Sequence, residues 1–252
     1  MSLNYLQQHL GVWQGWFRSY DAHGQLLGQK ASEISFRELA PQVYEQVNRY
    51  GSQCQRWVYH SLAAGLKFFP DGSFSNGQIQ LAPFSGFAVE QGFLWLHHKA
   101  RLVQQWDPQG QTTGFTTILE GRGQPAPQEL PPWDGSGLSG TWIGTSLTYP
   151  ADGWQPESGS LRVTDLQSWW QTLTPAGVVR CFPGQLVAIY PARLPMPTLT
   201  RERHFRLQLG WLATPEHYLH LCRSYNSQGT WSQVSLWHFQ REKIPAPAGI
   251  PV

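Results

Sequence analysis

Short runs of β-branched and aromatic residues alternate with turn-forming residues along the whole chain. Typical runs are 43–50 (VYEQVNRY), 93–98 (FLWLHH) and 230–239 (TWSQVSLWHF). The turns between them, such as 107–110 (DPQG), are rich in Gly, Asn and Asp, which tolerate or cap tight turns. Short strands at this regular spacing predict an all-β sandwich or barrel, and closure into a barrel would remove exposed edge strands.

Helical patterns are scarce. Residues 2–10 (SLNYLQQHL) favour one short helix with Ser2 as its N-cap. Residues 214–216 (TPE) are also typical of a helix start. However, the internal repeat described next aligns 217–225 with the strand-like segment 98–106, so we predict a strand there.

The two parts of the chain resemble each other. Residues 11–24 (GVWQGWFRSYDAHG) and 140–153 (GTWIGTSLTYPADG) are identical at six of fourteen positions. Farther along, 101–122 aligns with 220–241, at a different offset. Self-similarity of this kind indicates repeated structural units.

A proline- and glycine-rich segment separates the two parts, which is typical of a linker. We therefore predict a first domain at 1–124, a linker at 125–138 and a second domain at 139–252.

Each half begins with a Gly-x-Trp motif and ends on a strand that contains an arginine. The pairs are Trp13 with Arg122 and Trp142 with Arg241. This resembles the lipocalin or calycin pattern, in which the tryptophan of the first strand closes the barrel floor and stacks against an arginine of the last strand. A guanidinium stacks well on an indole ring. The resemblance implies two tandem antiparallel β-barrels.

A closer resemblance covers most of the chain. Segment 68–94 (FFPDGSFSNGQIQLAPFSGFAVEQGFL), followed by 101–107 (RLVQQWD), is similar to an uncharacterised family found mainly in photosynthetic prokaryotes. That family is a tandem pair of calycin-type barrels with no assigned function, so it supplies no catalytic residues. The lyases that attach bilins to phycobiliproteins belong to the same superfamily, and this link is one of fold alone.

Composition narrows the class of protein. Charged residues make up 13% of the chain, aromatic residues another 13%, and there are 13 tryptophans. Such a chain is not disordered. A net charge of +2 argues against nucleic-acid binding. No run approaches the roughly 18 apolar residues of a membrane span, and the start lacks a signal-peptide pattern, so we expect a cytoplasmic protein.

Motifs for catalysis and metal binding are weak. No nucleophile elbow, Walker A or HExxH motif occurs, carboxylates are scattered, and we nominate no catalytic residue, cofactor or metal site. Residues 135–140 (GSGLSG) match GxGxxG formally but lie in the linker. His220 and Cys222 would share one face of a strand with His217 on the other, too few ligands for zinc. The three cysteines predict buried free thiols.

Aromatic residues in the first half are the candidates for a ligand cavity, although core packing must account for most aromatic residues. Segment 83–87 (PFSGF) predicts a loop that exposes aromatic side chains near a barrel mouth. Arg101 is the cation of interest. An outward-facing, solvated side chain is the favoured interpretation, whereas an inward-facing charge on a strand would demand a partner such as a ligand carboxylate. Arg201, Arg203 and Arg206 form a basic cluster, which favours a solvated strand face. The candidate ligand-binding residues are Phe68, Phe69, Phe74, Phe84, Phe87, Phe93, Trp95 and Arg101.

Three functions remain open from sequence. The first is binding of a small, largely apolar molecule, pigment-like or lipid-like, in a barrel cavity. The second is a chromophore-handling enzyme or chaperone of the bilin-lyase type. The third is a scaffold without a ligand, whose barrel interiors are filled by side chains. Whether each barrel is open or filled decides between them.

Overall fold

The fold is described by a computed structural model over residues 3–153, 155–174, 177–191, 199 and 203–242. Two antiparallel β-sheets form almost all of it. The first contains β1 (Gly11–Asp21), β2 (Leu26–Ala40), β3 (Val43–Tyr50), β4 (Gln53–Tyr59), β5 (Lys67–Phe68), β6 (Phe74–Gly77), β7 (Phe87–Trp95), β8 (His98–Trp106) and β9 (Thr112–Arg122). The second contains β10 (Ser139–Pro150), β11 (Glu157–Asp165), β12 (Gly177–Phe182), β13 (Leu186–Pro191), β14 (Phe205–Thr214), β15 (His217–Tyr225) and β16 (Trp231–Arg241). The predicted all-β class is confirmed. The two tandem barrels predicted from sequence are two antiparallel sheets, one of them a half-barrel, and edge strands remain at the ends of each strand order.

Strand order repeats between the two sheets. The first runs β4-β3-β2-β1-β9-β8-β7-β6-β5 and the second β11-β10-β16-β15-β14-β13-β12, so seven consecutive strands correspond. The register repeats as well, since Lys99 lies opposite Glu120 and Tyr218 lies opposite Phe239. The strand predicted at 217–225 is confirmed as β15. This one-to-one correspondence lets each position in the first sheet be compared with its counterpart in the second.

The sheets differ where β3 and β4 occur in the first. The second has instead a helix, α1 (Leu166–Leu173), which the sequence did not predict. The Asp165 carboxylate caps it by accepting a hydrogen bond from the Ser168 backbone N–H at 2.8 Å. Leu166, Trp169 and Trp170 are the buried residues of α1. The short helix predicted at 2–10 is a 3-10 helix, Leu3–His9, and Ser2 lies outside the described residues.

The main hydrophobic core lies between the two sheets. On β8, Ala100 and Leu102 point into this core, whereas Lys99 and Arg101 point to the opposite, concave face of the first sheet. Strands β13 to β16 of the second sheet supply the other side. Each sheet therefore has one face packed on its partner and one face that surrounds its own interior.

The contacts between the halves are reciprocal. The Leu81 backbone N–H donates to the Gly229 carbonyl at 2.8 Å, and the Leu199 N–H donates to the Gly110 carbonyl at 2.9 Å. Gly110 and Gly229 occupy equivalent turns of the repeat. Each half thus binds the β8–β9 or β15–β16 turn of the other, as in a self-complementary dimer interface.

One buried arginine strengthens this junction. Arg223 is fully buried on β15, and its guanidinium donates to the carbonyls of Gly65 at 3.0 Å and Gly77 at 3.2 Å. It also lies 4.0 Å from the centre of the Trp231 ring. These bonds hold the segment around β5 and β6 against the second half.

None of the helices within the described ranges is long and apolar enough to cross a membrane.

Candidate functional site

The two Gly-x-Trp motifs form equivalent floors, one under each sheet. The Arg122 guanidinium lies 4.9 Å from the centre of the Trp13 ring, and Arg241 lies 4.3 Å from that of Trp142. Both indole rings are fully buried. Gly11 has a positive φ of 105°, and its counterpart Gly140 has one of 100°. A Cβ at Gly11 would contact the Arg122 side chain.

The indole nitrogens complete these floors in the same way. The Trp13 Nε1–H donates to the His9 carbonyl at 2.8 Å, and the Trp142 Nε1–H donates to the Leu138 carbonyl at 3.0 Å. Each tryptophan thereby fixes the segment that leads into its own first strand.

Above the Trp13 floor, the first sheet curves around a cavity of about 150 Å³. The lining residues come from the 3-10 helix, from β2 to β9 and from the segment after β4, as expected for the interior of a barrel. A cavity of about 150 Å³ has room for a molecule the size of benzene. We call it the first-sheet cavity, and its lining residues are Leu6, His9, Ile34, Phe36, Gln46, Tyr59, Leu62, Leu66, Phe68, Phe74, Asn76, Glu90, Lys99, Arg101 and Glu120.

Arg101 faces this cavity, and its side chain is only 12% exposed. Its NH1 donates to Glu90 Oε1 at 2.8 Å, and its NH2 donates to Glu120 Oε2 at 3.0 Å. For an inward-facing Arg101 we expected a ligand carboxylate as the partner. The protein itself provides two carboxylates, those of Glu90 and Glu120. Even so, the buried Nε of Arg101 and Oε1 of Glu120 have no hydrogen-bond partner among the described residues. Burying polar atoms unpaired is costly.

Lys99 lies beside this ion pair and is only 4% exposed. Its Nζ is 3.9 Å from the centre of the Trp13 ring and 5.0 Å from that of Phe36. Within the described ranges, none of the ion pairs includes Lys99. Burial holds the pKa of Lys99 well below its ordinary value, although the nearby Glu120 opposes this shift.

His9 is a further titratable residue of the cavity wall. Its Nε2 is 2.8 Å from the Gly72 carbonyl and therefore donates to it, and burial lowers the pKa of the ring well below its ordinary value. A neutral His9 adds no charge to the cavity.

The corresponding positions of the second sheet are arranged differently. Tyr218, His220 and Phe239 occupy the places of Lys99, Arg101 and Glu120. The His220 Nε2 and the Gln208 Oε1 are 2.7 Å apart, a neutral counterpart of the Arg101–Glu90 pair. Trp169 of α1 fills the remaining space, with its ring 4.9 Å from that of His220 and 4.8 Å from that of Phe239. The second interior is thus neutral and packed with side chains.

The buried His220 gives a testable dependence of stability on pH. Burial lowers its folded-state pKa to about 3, below the ordinary value of about 6.5. Its contribution is therefore complete above pH 6.5 and is lost as the pH falls toward 3, by about 1.4 kcal/mol per pH unit. In urea unfolding between pH 7 and pH 4.5, we expect His220→Gln to give a shallower slope. His9 contributes a slope of its own, so some dependence remains.

The control for this experiment is His98→Gln, at an exposed position of β8. It should leave the slope of the native chain unchanged. An equal slope in the native chain and the His220→Gln variant would contradict the assignment.

The aromatic candidates from the sequence fall into separate places. Phe68 and Phe74 line the first-sheet cavity with Arg101. Phe69, Phe87 and Phe93 face the other way and pack in the core between the sheets. These three do not belong to the cavity, because the period-two alternation of a strand sends neighbouring side chains to opposite faces.

The loop around 83–87 exposes one aromatic ring. Phe84 is 94% exposed and has a positive φ of 64°, whereas Phe87 is buried at the start of β7. In the basic cluster, Arg203 and Arg206 are exposed, and Arg206 NH1 donates to the Leu173 carbonyl at 2.6 Å. Arg201 lies outside the described residues.

Two larger cavities lie outside the sheet interiors. One, of about 430 Å³, is formed by Trp95 with β10, β15 and β16, and the Trp95 ring lies 4.8 Å from that of His217. The other, of about 340 Å³, lies beneath the linker and is lined by Leu130, Trp133 and Trp211 among others. Both are large enough for a small ligand. Lys99 and Glu120 also line the cavity beneath the linker, whereas Arg101 and Glu90 line neither of these two cavities.

The three cysteines differ in their exposure: Cys222 is buried, Cys181 is half-buried and Cys54 is exposed. All three cysteines are free, but the expectation of burial is wrong for Cys54, which is exposed on the edge strand β4. In the part of the chain that the structure describes, no three His, Cys, Asp or Glu side chains converge to hold a metal ion.

Comparison with known proteins gives two family matches. Residues 1–125 match the N-terminal domain of unknown function DUF3598. Residues 179–242 match the C-terminal domain of "biogenesis factor required for ATP synthase 1". No curated protein matches the chain.

Two solved structures are similar. One is an S-type phycobiliprotein lyase, CPES from Guillardia theta, which matches 97% of this chain and 94% of its own at 10% identity and a TM-score of only 0.20. The other is a DUF3598 protein of unknown function from Nostoc punctiforme, at 25% identity and a TM-score of 0.80 over 96% of this chain and 99% of that one. The chain thus has the fold of a DUF3598 protein along nearly its whole length, and its N-terminal half matches the N-terminal domain of that family.

Proposed function

We propose that the chain binds a small molecule in the first-sheet cavity. The observation that carries this proposal is a pair of buried polar atoms beside the cavity, Glu120 Oε1 and Arg101 Nε, which have no hydrogen-bond partner among the described residues. The Lys99 amine lies next to them, over the Trp13 ring, and forms no ion pair within the described ranges. Folded proteins rarely bury such groups without a partner. At the equivalent positions of the second half, His220 and Gln208 satisfy each other and α1 fills the space.

The cavity defines the chemistry of this ligand. Its walls combine aliphatic and aromatic residues, such as Leu6, Ile34 and Phe36, with a roughly equal number of polar and charged ones. Arg101 already pairs with two carboxylates, so an anionic ligand would find no free guanidinium there. The favoured ligand is therefore an uncharged group of benzene size that carries one polar oxygen. It is either a whole small molecule or the end of a larger pigment-like or lipid-like one.

The direct test is binding of 4-fluorobenzyl alcohol, followed by ¹⁹F NMR. This probe has an apolar ring of the right size and one hydroxyl group. We expect saturable binding to the native chain. Leu62→Trp, at a half-buried position on the cavity wall, should weaken binding at least about tenfold, or ~1.4 kcal/mol, because the larger side chain fills the cavity.

The matched control is Leu27→Trp, which adds the same side chain at an exposed position of β2. Binding to this variant should equal that of the native chain. Equal binding by the Leu62→Trp variant would show that the probe lies elsewhere. Absence of binding to the native chain would contradict the proposed site.

Larger ligands are tested by titration with tetrapyrroles, carotenoids and fatty acids, read by quenching of tryptophan fluorescence. Trp13 contributes to this signal, because it lies directly beneath Lys99 on the cavity wall. Unsaturable titrations with every class and with the small probe would favour the scaffold without a ligand. Faster attachment of a bilin to an acceptor protein in the presence of this chain would instead favour the lyase-like alternative.

A further inference from the structure

Lys99 has the environment of a reactive amine rather than that of a structural cation. It is buried, it borders a cavity, and it forms no ion pair within the described ranges. Burial, helped by the nearby cations of Arg101 and Arg122, lowers the pKa of this amine, although the carboxylates of Glu120 and Glu90 oppose the shift. A lysine that is desolvated and close to other cations is activated as a nucleophile toward carbonyl compounds.

The repeat argues against a structural role in closing the floor. Arg122 already stacks on Trp13, and the equivalent floor of Trp142 and Arg241 forms with Tyr218 in the place of Lys99. A lysine is therefore not needed to build this floor. Its amine is placed where a molecule in the cavity would meet it.

We propose that Lys99 forms an imine with the aldehyde or ketone group of a ligand held in the first-sheet cavity. This inference rests on the proposed function, because it names the chemical class of the molecule bound there. The cavity restricts that class to uncharged aromatic or short aliphatic carbonyl compounds of about benzene size.

The reaction balances without an oxidant or a reductant. The lone pair of Lys99 Nζ attacks the carbonyl carbon, the π electrons move to oxygen, and one N–H proton passes to that oxygen to give a neutral carbinolamine, whose hydroxyl group leaves with the second N–H proton as water. This loss of one water forms the C=N bond. Once the imine takes up a proton, the Glu120 carboxylate, opposite Lys99 across the β8–β9 pair, is the nearest candidate counterion on the facing strand.

The test is reductive trapping with 4-fluorobenzaldehyde and cyanoborohydride at pH 7, with the adduct located by peptide mass spectrometry. The chain has only four lysines, Lys30, Lys67, Lys99 and Lys243, so the assignment is direct. We expect labelling of Lys99 at least about tenfold faster than labelling of the exposed Lys30, whose amine stacks on the Tyr50 ring. The Lys99→Met variant should lose the fast adduct, and the control Lys30→Met should keep it.

A competition experiment covers the case in which Lys99→Met does not fold. An excess of 4-fluorobenzyl alcohol, which has no carbonyl group, should protect Lys99 in the native chain and leave Lys30 unaffected. If the alcohol binds but Lys99 and Lys30 are labelled at equal rates, the imine inference is wrong and the proposed function stands. If neither compound binds, both are wrong.

Discussion

Replacing Arg101 by methionine is expected to lower the free energy of unfolding by about 3–5 kcal/mol. The change removes one partner of a buried ion pair and leaves Glu120, whose side chain is 0% exposed, without its counterion. An uncompensated buried charge is far more costly than an absent pair. Urea unfolding at pH 7 measures the loss.

Two variants separate charge from packing in this result. Arg49→Met removes an ion pair with Glu33 in which both side chains are about a third or more exposed, and it should change stability by at most about 1 kcal/mol. The double variant Arg101→Met/Glu120→Gln should recover part of the loss, because the second change removes the stranded charge. A double variant no more stable than Arg101→Met would show that the loss comes from packing alone.

Replacing Trp170 by alanine is expected to cost about 3–5 kcal/mol, the usual range for truncating a large buried aromatic residue. Trp170 is 2% exposed in the second-sheet interior, where its ring lies 5.9 Å from that of Tyr218. Trp169, Trp170 and Leu166 anchor α1, so truncation at Trp170 opens a void that the surrounding strands cannot close. Urea unfolding followed by near-UV circular dichroism reports both the stability and the packing.

The matched control for this variant is Trp57→Ala on the edge strand β4. Trp57 is 39% exposed, so its truncation should cost less than about 1 kcal/mol. Similar losses for Trp57→Ala and Trp170→Ala would contradict the conclusion that α1 is packed as the filling of the second interior.

The repeat allowed much of this fold to be predicted from sequence. Alignment of 98–106 with 217–225 overrode the helix-like 214–216 and correctly gave β15. The two Gly-x-Trp motifs led to the pairs Trp13–Arg122 and Trp142–Arg241, which the structure places face to face. A duplicated motif is informative because two copies constrain one geometry.

The cavity residues could not be found in the same way. Glu90 and Glu120 are far from Arg101 in sequence, and only the register of β7, β8 and β9 brings them to it. Lys99 is different, because it lies two residues before Arg101 and therefore on the same face of β8. Helix α1 was missed because its eight residues fall in a strand-rich stretch. Its main signals were the N-cap residue Asp165 and the apolar pair Trp169 and Trp170. Phe87 and Phe93 were grouped with Phe68 by type, although the strand pleat separates them.

We propose that the first-sheet cavity accepts a ligand, whereas the second interior is filled by side chains. The most direct measurement is a crystal structure of the chain soaked with 4-bromobenzyl alcohol, with bromine located by its anomalous signal. We expect a bromine peak inside the first-sheet cavity, among Ile34, Phe36 and Lys99. A bromine peak only in the cavity beside Trp95, beneath the linker or within the second interior would contradict it.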